Sequence, residues 1–138
     1  MNEAYTGGCA CGAIRYEISG EPIFSNDCQC RDCQRKSGTG HASYLTFLGK
    51  GNVKLEGEAK RWDIVGDSGN VKTRAFCPTC GSPVYMTFAA MPDAFTVHAG
   101  SLDDPSRYKP QAVTYTARGY AWDHLDPALA KLDGMPPR

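Results

Sequence analysis

Apolar and polar residues alternate over short stretches of this chain, and glycine-bearing turns separate the stretches. Ile14, Tyr16 and Ile18 share one face of a strand predicted over residues 13–18, which Gly20-Glu21-Pro22 then turns. Residues 41–48 are dense in aromatic and branched side chains, the mark of a more buried strand. Further strands are predicted over residues 52–56, 59–65, 71–76, 84–88, 94–99 and 112–116, with turns at Gly57 and at Gly66-Asp67-Ser68-Gly69-Asn70. Helix signals are few. Residues 31–36 allow one or two turns before Gly38, and residues 126–132 have Asp126 as N-cap, Pro127 at the first helical position and Gly134 beyond the end. The class is mainly β, with short helices. Trp62, Tyr85 and Phe88 are expected in the core, and Tyr120 and Trp122 either line a pocket or pack.

Length and charge narrow the functions. The 138 residues match one domain, and no repeat, low-complexity tract or linker divides residues 1–138. Lys plus Arg and Asp plus Glu are both 15, so the chain lacks the basic surplus that a general nucleic-acid binder uses against phosphates. No apolar run is long enough to cross a bilayer, and the first eight residues lack the basic and apolar regions of a secretory signal. The expected compartment is the cytoplasm, where thiols stay reduced. The oligomeric state is left open.

The seven cysteines change the picture most. They form three clusters: Cys9-Ala10-Cys11, Cys28-Gln29-Cys30-Arg31-Asp32-Cys33 and Cys77-Pro78-Thr79-Cys80. In a reducing compartment such clusters mean metal or redox chemistry before disulfides, and an odd count disfavours a closed disulfide framework. A two-residue spacer lets two thiolates of a tight turn meet one tetrahedral ion, and Gly81 after the third cluster suits such a turn. Thiolates select zinc or iron–sulfur, and the spacing fits neither ferredoxin pattern. Two two-ligand clips, Cys9 with Cys11 and Cys77 with Cys80, make one closed four-sulfur structural site. Cys28, Cys30 and Cys33 then hold a second zinc with a fourth position open, as catalytic zinc requires. A different partition, Cys30 and Cys33 with Cys77 and Cys80, is compatible with the same spacing. A dithiol redox enzyme is the weaker reading, since no thioredoxin-like βαβ pattern surrounds a CxxC.

The order CxC, CxCxxC, CxxC resembles the glutathione-dependent formaldehyde-activating enzyme family, which includes the centromere protein V-like domains. Gly38, Gly100-Ser101-Leu102-Asp103-Asp104-Pro105, Trp122 and Asp133-Gly134-Met135-Pro136 add to the likeness, which runs from about residue 5 to residue 138. The resemblance implies an Mss4-like fold of β-sheets with zinc clips. It implies a structural zinc on Cys9, Cys11, Cys77 and Cys80 and a catalytic zinc on Cys28, Cys30 and Cys33. It also implies carbon–sulfur lyase-type chemistry, like that of an S-(hydroxymethyl)glutathione synthase, with glutathione adding to formaldehyde. Two positions depart from common family residues: Gln29, where a histidine is frequent, and Val113, three residues after Pro110, where another is frequent.

Around the middle cluster, Arg31, Arg35 and Lys36 are candidates to hold the carboxylates of glutathione, or form a solvated helix face. His41, eight residues after Cys33, is a candidate neighbour of the second zinc, whereas His98 reads as a packed histidine. The functional expectation is a zinc-dependent enzyme in which an incoming thiol is held as thiolate and a C–S bond is made or broken reversibly. The rival is a zinc-stabilised binding module with purely structural metal sites.

Overall fold

The computed structural model describes residues 3–66 and 68–136; the turn residue Asp67 and the extreme ends of the expected domain, residues 1–2 and 137–138, lie outside it. Among the described residues eleven strands form two sheets, and the chain is mainly β. Strands β1 (Tyr5–Gly8), β2 (Arg15–Ile18) and β5 (Val53–Glu56) make a three-stranded antiparallel sheet. The larger sheet uses β3 (Phe24–Cys28), β4 (Ala42–Leu48), β6 (Lys60–Val65), β7 (Val71–Phe76), β8 (Pro83–Phe88), β9 (Met91–His98), β10 (Ala112–Thr114) and β11 (Ala130–Lys131). Its order is β11-β10-β3-β4-β9-β8-β7-β6, with β10 parallel to both β3 and β11 and every other pair antiparallel. No helix among the described residues is long and apolar enough to cross a membrane.

Period-two geometry sends neighbouring side chains to opposite faces, and the large sheet uses both. On β4, Leu45 and Phe47 enter a core with Tyr5, Ile14, Tyr16 and Ile18 of the small-sheet segment and Phe95 and Val97 of β9. The alternate residues Ala42 and Tyr44 enter a second cluster with Cys28, Cys30, Cys33 and Met86. Each fully buried side chain such as Leu45 or Ile18 contributes about 1.5–3 kcal/mol, so the first core supplies much of the fold's stability.

Helix α1 (Arg31–Ser37) sits where 31–36 is predicted. Cys30 caps it, its Sγ accepting from the Cys33 N–H at 3.3 Å, and Gly38 ends it in the left-handed region at φ 79°. The helix expected over residues 126–132 does not form. Asp126 instead makes a turn, accepting from the Ala128 and Leu129 N–H groups, and Ala130–Lys131 pairs with β10. A stretch of seven residues gains few helical bonds against the cost of nucleation, and the open edge of β10 satisfies the same backbone groups better. Trp62 corrects a second expectation. It stands on β6, the last strand of the sheet, and is 56% exposed rather than in the core. Tyr85 does enter the first core, and Phe88 packs half-buried against the second cluster. Tyr120 and Trp122 are exposed and stack on each other, 5.7 Å between rings.

Candidate functional site

The seven cysteines gather into two groups, Cys9 with Cys11, Cys77 and Cys80, and Cys28 with Cys30 and Cys33. In each group the sulfurs lie within 4.8 Å of one another. The partition that joins Cys30 and Cys33 to Cys77 and Cys80 is thereby excluded. Both groups fit a metal ion by their donor chemistry.

The four-sulfur group is built from two similar turns. In one, Cys9 N–H donates to Ile14 C=O and Gly12 N–H to Cys9 C=O; in the other, Cys77 N–H donates to Ser82 C=O and Gly81 N–H to Cys77 C=O. Backbone N–H groups also aim at sulfur: Ile14 at Cys9 (3.2 Å), and Thr79 and Cys80 at Cys77 (3.4 and 3.5 Å). Cys9 and Cys11 sulfurs are 3.7 Å apart and those of Cys11 and Cys77 3.6 Å. A tetrahedral ion with metal–sulfur bonds of about 2.3 Å has an edge of about 3.8 Å, close to these two separations, so the group could hold one metal ion.

The three-sulfur group is fully buried and differently served. Cys28 ends β3 and pairs in register with Ala42 of β4; Cys30 and Cys33 sit at the cap and first turn of α1. Cys33 is the focus of the donors. Tyr44 O–H donates to its sulfur at 3.2 Å, and Arg74 Nη2–H approaches it at 3.5 Å. Arg74 also donates to Tyr44 Oη, and its Nε–H reaches Asp32 Oδ2 at 2.7 Å, while Lys72 Nζ stands 2.9 Å from the same oxygen. Contacts from Cys28 and Cys30, helped by Lys72 and Tyr44, draw the Cys33 thiol down to about 2. Contacts from Cys30 and Cys33, with burial, push Cys28 far upward. Burial opposes the charge on Lys72, but Cys33, Cys30 and Asp32 outweigh it and hold the ammonium protonated. The group is prepared to be anionic at Cys33, with two buried cations set between Asp32 and the Cys33 sulfur.

A cavity of about 410 Å³ is lined by all three of these cysteines. Its walls follow the strand period: Phe24 and Asn26 of β3, Tyr44 and Thr46 of β4, Met86 and Phe88 of β8, and Thr96 of β9 all face it. A separate polar cleft at the end of the sheet contains His41 and His98. His41 pairs through Nδ1 with Asp123 at 2.8 Å, and Gln29 Nε2–H donates to the same carboxylate. His98 packs edge-on against Tyr44, and burial, with Arg74 and Lys36 nearby, pushes it down to about 3.

A family model described as glutathione-dependent formaldehyde-activating enzyme matches residues 4–118. The chain belongs to that family. The family's description ties it to glutathione-dependent formaldehyde activation, and both cysteine groups could hold metal ions. The matched span contains all seven cysteines and Gly100–Pro105, and stops before Trp122 and Asp133–Pro136. A solved structure of a Rhodobacter sphaeroides protein, a structural-genomics target, resembles this formaldehyde-activating family member with a TM-score of 0.57. The two are 18% identical over 92% of this chain and 98% of that one.

Within this family framework the candidate glutathione-binding cations lie elsewhere than the cavity wall. Arg31 donates to Gln34 Oε1, Arg35 is exposed, and Lys36 lies over the Trp62 and Phe76 rings. His41 likewise faces the polar cleft. The residues that sequence reasoning missed are Asp32, Tyr44, Lys72 and Arg74. Their available signal was position: Tyr44, Lys72 and Arg74 each occupy one alternate face of a predicted strand.

Proposed function

We propose that this protein is a zinc-dependent carbon–sulfur lyase-type enzyme, acting reversibly on the adduct of a small, glutathione-like thiol and an aldehyde. The observation that carries the reading is the cavity lined by Cys28, Cys30 and Cys33. A closed structural site has no use for such access, and the four-sulfur group provides the structural clip instead. Cys9, Cys11, Cys77 and Cys80 would hold one zinc and Cys28, Cys30 and Cys33 a second. The second ion would supply an open coordination position at which a thiol is held as its thiolate at neutral pH.

The protein's own groups do the rest. Tyr44 and Arg74 donate to Cys33 and fix its sulfur toward the site. Lys72, on the cavity wall, offsets negative charge arising there. In the forward direction the thiol gives up its proton to water, the thiolate pair forms the C–S bond, the carbonyl π pair moves to oxygen, and that oxygen takes a proton back from water. The reverse breaks the C–S bond and returns thiol and aldehyde. Seven free thiols suit a reducing compartment such as the cytoplasm.

The test is exchange spectroscopy of formaldehyde, glutathione and their adduct, with zinc content measured in parallel. Wild-type protein is expected to carry two zinc ions and to speed the exchange at least about a hundredfold over solution, and Cys30→Ala to lose that acceleration while keeping one zinc. Two zinc ions with no acceleration by wild-type protein, for any thiol and aldehyde tried, would favour the purely structural rival.

A further inference from the structure

The walls of the cavity beside the three-cysteine group are predominantly hydrocarbon and aromatic. Apart from the cysteines, Lys72 is the one charged side chain among its described lining residues, and it shares Asp32 with Arg74. Three of the chain's four methionines, Met86, Met91 and Met135, line it, together with Phe24, Phe88 and Tyr115. Tyr115 is held at φ 56°, a left-handed conformation that a bulky residue adopts only when its surroundings impose it. The polar wall atoms are mostly satisfied internally: Thr46 and Thr96 bond each other at 2.8 Å, and Asn26 Nδ2–H donates to Thr114 Oγ1. That leaves Lys72 as the one point on the wall able to receive an anionic group.

Glutathione brings two carboxylates and an ammonium. Moving each into this cavity without an opposite charge is costly, and Arg31, Arg35 and Lys36 do not reach its wall. Methionine-lined walls, by contrast, adapt to apolar bodies of varied shape. We propose that the cavity selects a thiol–aldehyde adduct with an apolar body, an alkyl or aromatic group carrying at most one anionic group near Lys72. This rests on the lyase reading, and it names the substrate class of that site. The cavity volume is within the range of pockets that enclose a small organic ligand, so the body is bounded as well as apolar.

Binding is measured by titration calorimetry on the zinc-loaded protein with benzyl mercaptan, 3-mercaptopropionate and glutathione. A second readout follows the ¹³C-methyl resonances of the methionines during titration with benzyl methyl sulfide, which has no thiol proton to lose. Benzyl mercaptan is expected to bind at least about tenfold more tightly than glutathione, with 3-mercaptopropionate between them. The sulfide is expected to shift the Met86 and Met91 signals. Met91→Glu, on the half-exposed rim, is expected to weaken benzyl mercaptan and to leave the order of the other two unchanged. Glutathione binding as tightly as benzyl mercaptan, or methionine signals unmoved by the sulfide, would overturn the inference while leaving the lyase reading intact. Absence of binding by all three thiols would overturn the lyase reading as well.

Discussion

His98 shows how a single side chain records the character of the site. It stands beside Tyr44 and near the buried Arg74, an environment that keeps its ring neutral, with its titration pushed from 6.5 to about 3. A group so depressed contributes stability that is complete above the unfolded value and is lost as pH falls toward the folded one. In that window the unfolded chain takes up the proton and the folded chain does not. Wild-type stability should therefore fall relative to His98→Gln by on the order of 1 kcal/mol for each pH unit between about 6.5 and 5. Urea unfolding of both proteins at matched, saturating zinc measures the difference, so that metal release cancels. Parallel curves would show that the folded protein admits the proton.

At the scale of elements, helix α1 matters because it delivers two of the three sulfurs from one short turn. Its exit is Gly38 at φ 79°, with no atom within reach of an added Cβ. Substitution there meets only the conformational penalty. Gly38→Ala should cost about 1 kcal/mol and Gly38→Asn less, since asparagine tolerates the left-handed region. Thermal unfolding with zinc present checks the order of the three proteins. The helix and most strands were legible in the sequence because local caps, glycines and alternation coincide there. Strand β3 was not legible, for a physical reason. Ser25, Asn26 and Asp27 are buried despite being polar, because Asn26 bonds Thr114 and Asp27 accepts from Ser43 and Tyr108. Partners distant in sequence satisfy them, so no hydrophobic alternation marks the strand. The segment 126–132 misled in the opposite way: its helix signals are local, while the pairing that overrides them comes from β10. Cysteine spacing pointed to both cysteine groups but left a second partition open, which the fold decides, and the cations that serve Cys33 depend on the packing of β7 against α1.

For the molecule as a whole, the two cysteine groups stand in different relations to folding. Cys9 and Cys11 join Cys77 and Cys80 across more than sixty positions of chain (|i−j| 66 between Cys11 and Cys77), tying the first turn to the β7–β8 turn. Structural zinc contributes on the order of 10 kcal/mol in small domains, so Cys80→Ala should largely unfold the protein. Cys30→Ala should retain most of the cooperative transition, because Leu45, Phe47 and Val97 pack on the opposite face of the sheet. Far-ultraviolet circular dichroism during heating, with and without a chelator, separates the two. Equal loss in both variants would mean that the three-sulfur group is also a folding element.

The assignment of alternate residues to opposite faces has an evolutionary corollary. On β3, β4, β8 and β9 the residues facing the cavity are interleaved with others that face away from it, and on β4 and β9 those others build the first core. Mutations at Phe24, Thr46, Met86 or Phe88 can reshape what enters the cavity with little disturbance to the packing at Leu45, Phe47 or Val97. Specificity can drift over generations while foldedness is conserved. A single-residue deletion inside one of these strands is the opposite kind of event, because it would exchange the two sets of side chains at once. Descendants of such a chain should therefore diverge by substitution along the strands and keep their insertions and deletions in the turns.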